Sequence, residues 1–161
     1  MLAACSGHAA GTGAPPGVST VAQRPVVEFD LDSLDDRPVT GSATRGKPTL
    51  IAFVTTGSIA AQAQVDYLVK MAANDGDRVN YLLVALEVRE NRELVELYRK
   101  SLGVTFPVAV LDPEKPARAA AFGDVSVVPV TILLDRAGRV AWRVDGRVAK
   151  SAELRDAMRG L

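Results

Sequence analysis

The feature that most constrains this chain is a continuous apolar run, TLIAFV at Thr49–Val54, which passes at once into a different periodicity. A run of that length without polar alternation is typical of a strand that is covered on both faces. After a glycine the apolar residues recur with helical spacing, at Ala61, Val65, Leu68 and Ala72. The sequence therefore predicts a buried strand, a break at Thr56–Ser58, and an amphipathic helix.

The same alternation of strand and helix patterns continues to the end of the chain. Further strands are predicted at Val79–Leu86, Phe106–Leu111, Val130–Leu134 and Arg139–Val144. Further helices are predicted around Leu94, Leu97 and Tyr98, at Pro116–Phe122, and at Ala152–Met158 with Ser151 as its N-cap. An edge hairpin is predicted within Val26–Val39, and a turn at Asp135–Gly138 joins the last two strands. This order predicts an α/β fold with a mixed sheet.

Composition and motifs exclude several classes of function. Lys plus Arg is 19 and Asp plus Glu is 19, so no basic face for nucleic acid is expected. No apolar stretch approaches the roughly 18–20 residues of a membrane span. The sequence RGK at Arg45–Lys47 precedes a strand and does not open a helix, so it is not a phosphate-binding loop. His8 and Cys5, the single histidine and cysteine, lie outside the predicted folded part, so neither a metal site nor a cofactor is predicted.

The sequence LAAC at Leu2–Cys5 resembles the lipobox of bacterial lipoproteins, in which the cysteine is cut and lipidated. The following segment, Ser6–Pro25, is rich in Gly, Ala, Ser, Thr and Pro, as a flexible tether would be. Only Met1–Ala4 precede the cysteine, whereas a signal peptide needs an apolar region of about 7–15 residues, so we expect the true start upstream. We expect a lipobox and tether at 1–25 and one domain at 26–161. The alternative is a free thiol in a disordered tail.

Three motifs together resemble the thioredoxin fold and, within it, the TlpA/redoxin branch of membrane-tethered periplasmic thiol-disulfide proteins. They are GKPTLIAFV before the break at Thr56–Ser58, TFPV at Thr105–Val108, and VVPVT followed by LLDRAGRV. The resemblance implies a thioredoxin-like three-layer α/β/α sandwich with a mixed central sheet and an N-terminal edge hairpin. It also implies a cis-proline at Pro129, next to Val128.

The family places a Trp-Cys-x-x-Cys turn where this chain has Gly57, Ser58 and Ala61. In this register Ser58 stands for the attacking cysteine and Ala61 for the resolving one. Disulfide exchange needs a thiolate with a lowered pKa at a helix N-terminus and a second thiol one turn later. A serine hydroxyl cannot take that role, and peroxide reduction in this family also needs a cysteine thiolate. The CxxC site is therefore predicted to be degenerate.

Alternatives remain for the residues of this predicted site. Ser58 is interpreted as a helix N-cap, with a nucleophile served by a distant carboxylate and a binding role as alternatives. Pro129 serves either the architecture or the binding of an extended substrate. The predicted binding residues are Thr56, Gly57, Ser58, Val128 and Pro129. Phe122 and Trp142 are interpreted as core residues, not ligand platforms.

These observations lead to one functional hypothesis and one rival. The hypothesis is a redox-inactive thioredoxin-like domain of a lipoprotein, tethered to a bacterial membrane by lipid on Cys5, facing the periplasm and binding or scaffolding an envelope protein. Fold alone does not fix such a function. The rival is a thiol-disulfide oxidoreductase or antioxidant protein that uses Cys5 or the cysteines of a partner.

Overall fold

The computed structural model describes residues 24–115, 117 and 119–161. It contains six strands: β1 (Asp32–Ser33), β2 (Thr49–Val54), β3 (Asn80–Leu86), β4 (Val108–Leu111), β5 (Val130–Leu134) and β6 (Val140–Asp145). The α-helices are α1 (Ile59–Asp75), α2 (Arg92–Ser101) and α3 (Ser151–Met158). Cys5, His8 and the predicted lipobox lie outside the described residues.

The six strands form one mixed sheet in the order β1-β4-β3-β2-β5-β6. β2 runs parallel to β3, and β3 runs parallel to β4. β5 is antiparallel to β2 and β6, and β1 is antiparallel to β4. The predicted α/β class with a mixed sheet is confirmed.

One face of the sheet carries all three α-helices. Leu50, Ala52 and Val54 of β2 pack there with the stripe of α1 predicted from the sequence. Val95 and Tyr98 of α2 and Leu154 of α3 belong to the same cluster: each is buried. A helix with one apolar stripe must bury it, and this face of the sheet supplies the matching surface.

The other face is covered by the N-terminal segment and a short turn of helix. Ile51 and Phe53 pack there against Phe29, and Phe122 lies with its ring centroid 5.0 Å from the centroids of both Phe29 and Phe53. Phe122 is thus a core residue, as predicted. Trp142 is half-buried against the helical side.

The short helix predicted at Pro116–Phe122 is a 3-10 helix over part of its described residues. This 3-10 helix spans Ala120–Phe122 and ends at Gly123 with φ of +74°. A segment this short forms too few backbone hydrogen bonds to offset the cost of nucleating an α-helix.

The predicted N-terminal hairpin is present at the edge of the sheet in a reduced form. The amide of Leu31 donates to the Val39 carbonyl at 3.0 Å, and the Gly41 amide donates to the Phe29 carbonyl at 2.8 Å. Only Asp32–Ser33 form a strand in the sheet, where they pair with β4.

The helix predicted around Leu94, Leu97 and Tyr98 is present as α2. Leu94 and Leu97 are 46% and 65% exposed, while Val95 and Tyr98 face the core. The predicted N-cap of α3 is wrong. Ser151 is the first residue of α3, and the N-cap is Lys150, which makes no side-chain capping bond. Among the described residues, no helix combines the length and hydropathy of a membrane span.

Candidate functional site

The predicted site residues meet at one edge of the sheet. Phe53 near the end of β2 lies opposite Val130 at the start of β5. Because these strands are antiparallel, the segment after β2 and the segment before β5 leave the sheet side by side. This places Thr56–Ser58 next to Val128–Pro129, whose peptide bond is cis.

Ser58 caps the N-terminus of α1. Its backbone is extended, and its hydroxyl oxygen accepts a hydrogen bond from the Ala61 amide at 3.2 Å. This contact satisfies one of the first-turn donors that a helix leaves unpaired. Within the described part of the chain, no carboxylate, histidine or lysine hydrogen-bonds this hydroxyl, so the geometry provides no general base for Ser58.

The positions on either side of Ser58 differ sharply in exposure. Ala61, one turn into the helix, is fully buried. Gly57 is exposed, and a side chain added there would meet nothing within 4 Å. The space at the family's tryptophan position is therefore open.

Glu87, directly after β3, anchors the turn. Its Oε1 accepts hydrogen bonds from the Thr56 amide at 3.0 Å and from the Thr56 hydroxyl at 2.6 Å. Its Oε2 accepts a third hydrogen bond from the side-chain amide of Asn91 at 3.0 Å. Burial raises the pKa of the Glu87 carboxyl, but these hydrogen bonds lower it by more, so its pKa lies below the ordinary value and the group is ionised at neutral pH.

Glu87 was not among the residues predicted for this site. In the structure α2 begins only at Arg92, and the preceding residues form a loop and a short 3-10 helix, Arg89–Asn91. The order of the parallel strands could have identified Glu87. The carboxyl ends of adjacent parallel strands meet at the same edge, so a polar residue directly after β3 lies near the turn after β2.

Two large apolar side chains are exposed beside the turn. Ile59, the first residue of α1, is 84% exposed, and Val127 is 60% exposed. Val128 is half-buried and Pro129 is buried. We call the exposed surface of Gly57, Ile59, Val127 and Val128 the turn-edge surface.

The loop that carries Val127 is held by polar contacts. The Arg143 guanidinium donates to the carbonyls of Phe122 and Asp124, and its Nε donates to Asp145 at 2.9 Å. The Gly146 amide donates to the Pro129 carbonyl at 2.9 Å. These contacts fix the loop on β6 and leave the Val127 side chain facing outward.

The described residues contain no group of three or more His, Cys, Asp and Glu side chains placed to hold a metal ion. The polar groups of the turn instead satisfy one another, Ser58 with the helix amide and Thr56 with Glu87. The turn-edge surface therefore presents two exposed apolar side chains, Ile59 and Val127, and the exposed backbone of Gly57.

Comparison with known proteins identifies solved structures that share this fold. No family model and no curated protein matches the sequence. Among solved structures, a DsbF homologue from Corynebacterium diphtheriae is 20% identical, with a TM-score of 0.75 over 92% of this chain and 98% of that one. A secreted thiol-disulfide isomerase from Corynebacterium glutamicum is 19% identical, with a TM-score of 0.71 over 90% and 92%.

A secreted Mycobacterium tuberculosis disulfide oxidoreductase, homologous to E. coli DsbE, is 17% identical, with a TM-score of 0.66 over 81% of this chain and 92% of that one. Likeness of this extent at such low identity establishes the architecture. The chain has the thioredoxin fold, as its motifs predicted.

The role of Glu87 is tested by Glu87→Gln. Because the folded-state pKa is depressed, the ionised carboxylate stabilises the fold above the ordinary glutamate pKa of about 4.3, and this stabilisation is lost as the pH falls through the lowered value. We expect the variant to lose about 1 kcal/mol of unfolding free energy at pH 7 in urea titrations, with the difference shrinking below about pH 4.

Glu90→Gln is the matched control, since Glu90 is exposed in the same loop, and it should stay within about 0.5 kcal/mol of wild type. The Thr56 amide resonance should shift in Glu87→Gln alone. A Thr56 amide that is unchanged in this variant contradicts the anchor.

The predicted register of Ser58 and Ala61 is tested by Ser58→Cys with Ala61→Cys, in a Cys5→Ala background. The two positions are one turn apart at the helix start, so the thiols should form an intramolecular disulfide under mild oxidant. The thiol replacing Ser58 should have a pKa below the free value of about 8.5, because the helix N-terminus stabilises a thiolate.

Ala63→Cys is the control for the pKa, since it lies further along the same helix, away from the free amides. Two thiols that stay free in a folded double variant would show that Ser58 and Ala61 are not the positions of the lost cysteines.

Proposed function

We propose that this chain is a redox-inactive thioredoxin-fold domain that binds a protein partner in the bacterial cell envelope, where lipid on Cys5 tethers it to the membrane. The observation that carries the proposal is the state of the turn. Residues 24–161 contain no cysteine, and the serine at the predicted attacking position is committed to capping α1. Thiol-disulfide exchange requires a sulfur nucleophile, which this region lacks.

The turn-edge surface supports binding as the remaining role. Ile59 and Val127 present apolar side chains to solvent in the two segments that flank the paired ends of β2 and β5. Exposed apolar groups gathered at one place are typical of interaction sites, whereas single ones are ordinary. A partner that covers both would remove this surface from water without any covalent step.

The path of the chain suits a tethered domain. Arg24 lies at the start of β6, where its guanidinium donates a hydrogen bond to the Val140 carbonyl at 2.8 Å. Val26, two residues further on, forms an antiparallel β-bridge with Arg139. β6 ends at Asp145, which lies opposite Val130 beside the candidate site. An anchor on the N-terminal segment would therefore join the domain at the end opposite the turn-edge surface, which leaves that surface open to a partner.

The envelope location is supported by the similar solved proteins, two of which are described as secreted. The same similarities support the rival function, a thiol-disulfide oxidoreductase or antioxidant protein that uses Cys5 or a partner's cysteines. Lipidation separates the two, because a cysteine in a thioether has no thiol to offer. A full-length product that partitions into detergent, and a Cys5→Ala variant that does not, would favour the tethered binding protein.

Binding is tested by capture from a membrane fraction with wild type, Ile59→Glu and Val127→Glu. A carboxylate in the middle of an apolar contact is costly to desolvate, so each variant should retain its specific partner at least about tenfold less well. Leu97→Glu is the matched control, since Leu97 is 65% exposed on α2, and it should retain the partner as wild type does. Equal retention by all four proteins contradicts the assigned surface.

A further inference from the structure

A concave site lies at the opposite end of the sheet from the turn-edge surface. It is a cavity of about 350 Å³, within the range of small-molecule sites. Its walls come from the start of β3, the loop before β4, and the C-terminal end of α1, represented by Asn80, Thr105 and Gly76. It shares no residue with the turn-edge surface, so its function is independent of the one proposed above.

The floor of the cavity is apolar and aromatic. Tyr81 and Phe106 are 5% and 7% exposed, with ring centroids 5.7 Å apart. Pro38, Val79 and Pro107 add further apolar wall. The Tyr81 hydroxyl donates to the buried Asp75, so its polar end is already satisfied. Such a floor favours a ligand with a flat apolar body.

The rim of the cavity is electronegative. The 17-residue helix α1 ends here, and Ala72 and Gly76 line the cavity, so the partial negative charge of the helix C-terminus faces it. Asp77 is exposed at the rim, and no cation among the described residues pairs with it. Both features attract a positive group.

Two neighbouring cations already have partners of their own. Arg78 pairs with Asp75 at 3.7 Å and donates to the carbonyls of Asn74 and Asp75, and it also lines a different cavity. Arg37 is bound through two of its nitrogens to the carboxylate of Asp35, and it donates to the carbonyls of Thr105 and Phe106 in the cavity wall. Neither cation neutralises Asp77. The polar side chain of Asn80 is likewise satisfied within the protein, by the Thr44 carbonyl.

We propose that this cavity binds a small organic cation, a molecule with a flat apolar body and an amidinium or ammonium group. The apolar body lies on the floor formed by Tyr81 and Phe106, and the cation lies at the rim beside Asp77 and the end of α1. The positive charge of the ligand distinguishes this site from a purely hydrophobic groove.

The probes for this site are benzamidine, benzamide and benzoate, which share one ring and are cationic, neutral and anionic at neutral pH. Each is titrated into the full chain while backbone amide resonances are followed by NMR. Benzamidine should shift the amides of Asn80 and Thr105, benzamide should bind about fivefold more weakly, and benzoate should bind still more weakly.

Variants assign the effect to the cavity. Asp77→Asn should weaken benzamidine binding about two- to fivefold and leave benzamide unchanged, because only the charge is removed. Asp66→Asn is the matched control, since Asp66 is an exposed carboxylate on α1 outside the cavity, and it should change the binding of neither probe. Ala72→Leu should reduce the binding of both probes by filling the space.

Two outcomes would overturn the proposal. Equal affinity for the three probes would show that charge plays no part, and an absence of shifts at Asn80 and Thr105 with benzamidine would show that the cavity takes no such ligand. Both outcomes are independent of Ala72→Leu, so a failure of that variant to fold would leave the test decisive.

Discussion

The burial of β2 on both faces is the constraint on which the rest of the structure depends. Leu50, Ile51, Ala52, Phe53 and Val54 have no exposed area at all. Full burial of a large apolar side chain stabilises a fold by about 1.5–3 kcal/mol, so this strand must have a layer on each side. The helices supply one layer, and the N-terminal segment with Phe122 supplies the other. With β3 parallel and β5 antiparallel to this strand, the turn after Val54 must lie beside Val128–Pro129.

Paired polar side chains at three points, two of them buried and Glu87 half-buried, connect elements of the fold. Gln64 on α1 accepts a hydrogen bond from the Ala149 amide at 2.6 Å and donates to the Ala149 carbonyl at 3.2 Å, which fixes the segment before α3. Asp75 at the end of α1 accepts from both Tyr81 and Arg155. Glu87 accepts hydrogen bonds from the amide and the hydroxyl of Thr56 and so holds the turn after β2. A buried polar group is costly unless it is paired, and each of these is.

Hydrogen bonds within the protein also occupy the polar groups of the turn after β2. In a thioredoxin-fold oxidoreductase the helix N-terminus stabilises a thiolate, but here its first-turn donor meets the Ser58 hydroxyl. The hydroxyl and amide of Thr56 are taken by Glu87. With these polar groups committed, the atoms that remain for a partner are mainly apolar, on Ile59 and Val127. The absence of cysteine from residues 24–161 and the exposed apolar side chains beside the turn are both compatible with the binding role proposed above.

The sequence was sufficient for much of this account, because local patterns carried it. The apolar run at Thr49–Val54, the cap at Ser58 and the position of Val128–Pro129 follow from periodicity, capping and motif. The anchor at Glu87 did not, because it depends on which strands are neighbours. The pattern at Leu94, Leu97 and Tyr98 located α2, but periodicity alone did not assign its buried face to Val95 and Tyr98.

The most direct test of the account is redox turnover by the full chain, measured beside its Cys5→Ala variant. Reduction of insulin disulfides and consumption of peroxide with a thiol donor are followed against a blank without protein. The account predicts that both proteins match the blank, since residues 24–161 contain no sulfur nucleophile. Turnover that disappears in Cys5→Ala would instead favour the oxidoreductase, and turnover that survives in Cys5→Ala would contradict the chemistry assigned to the turn.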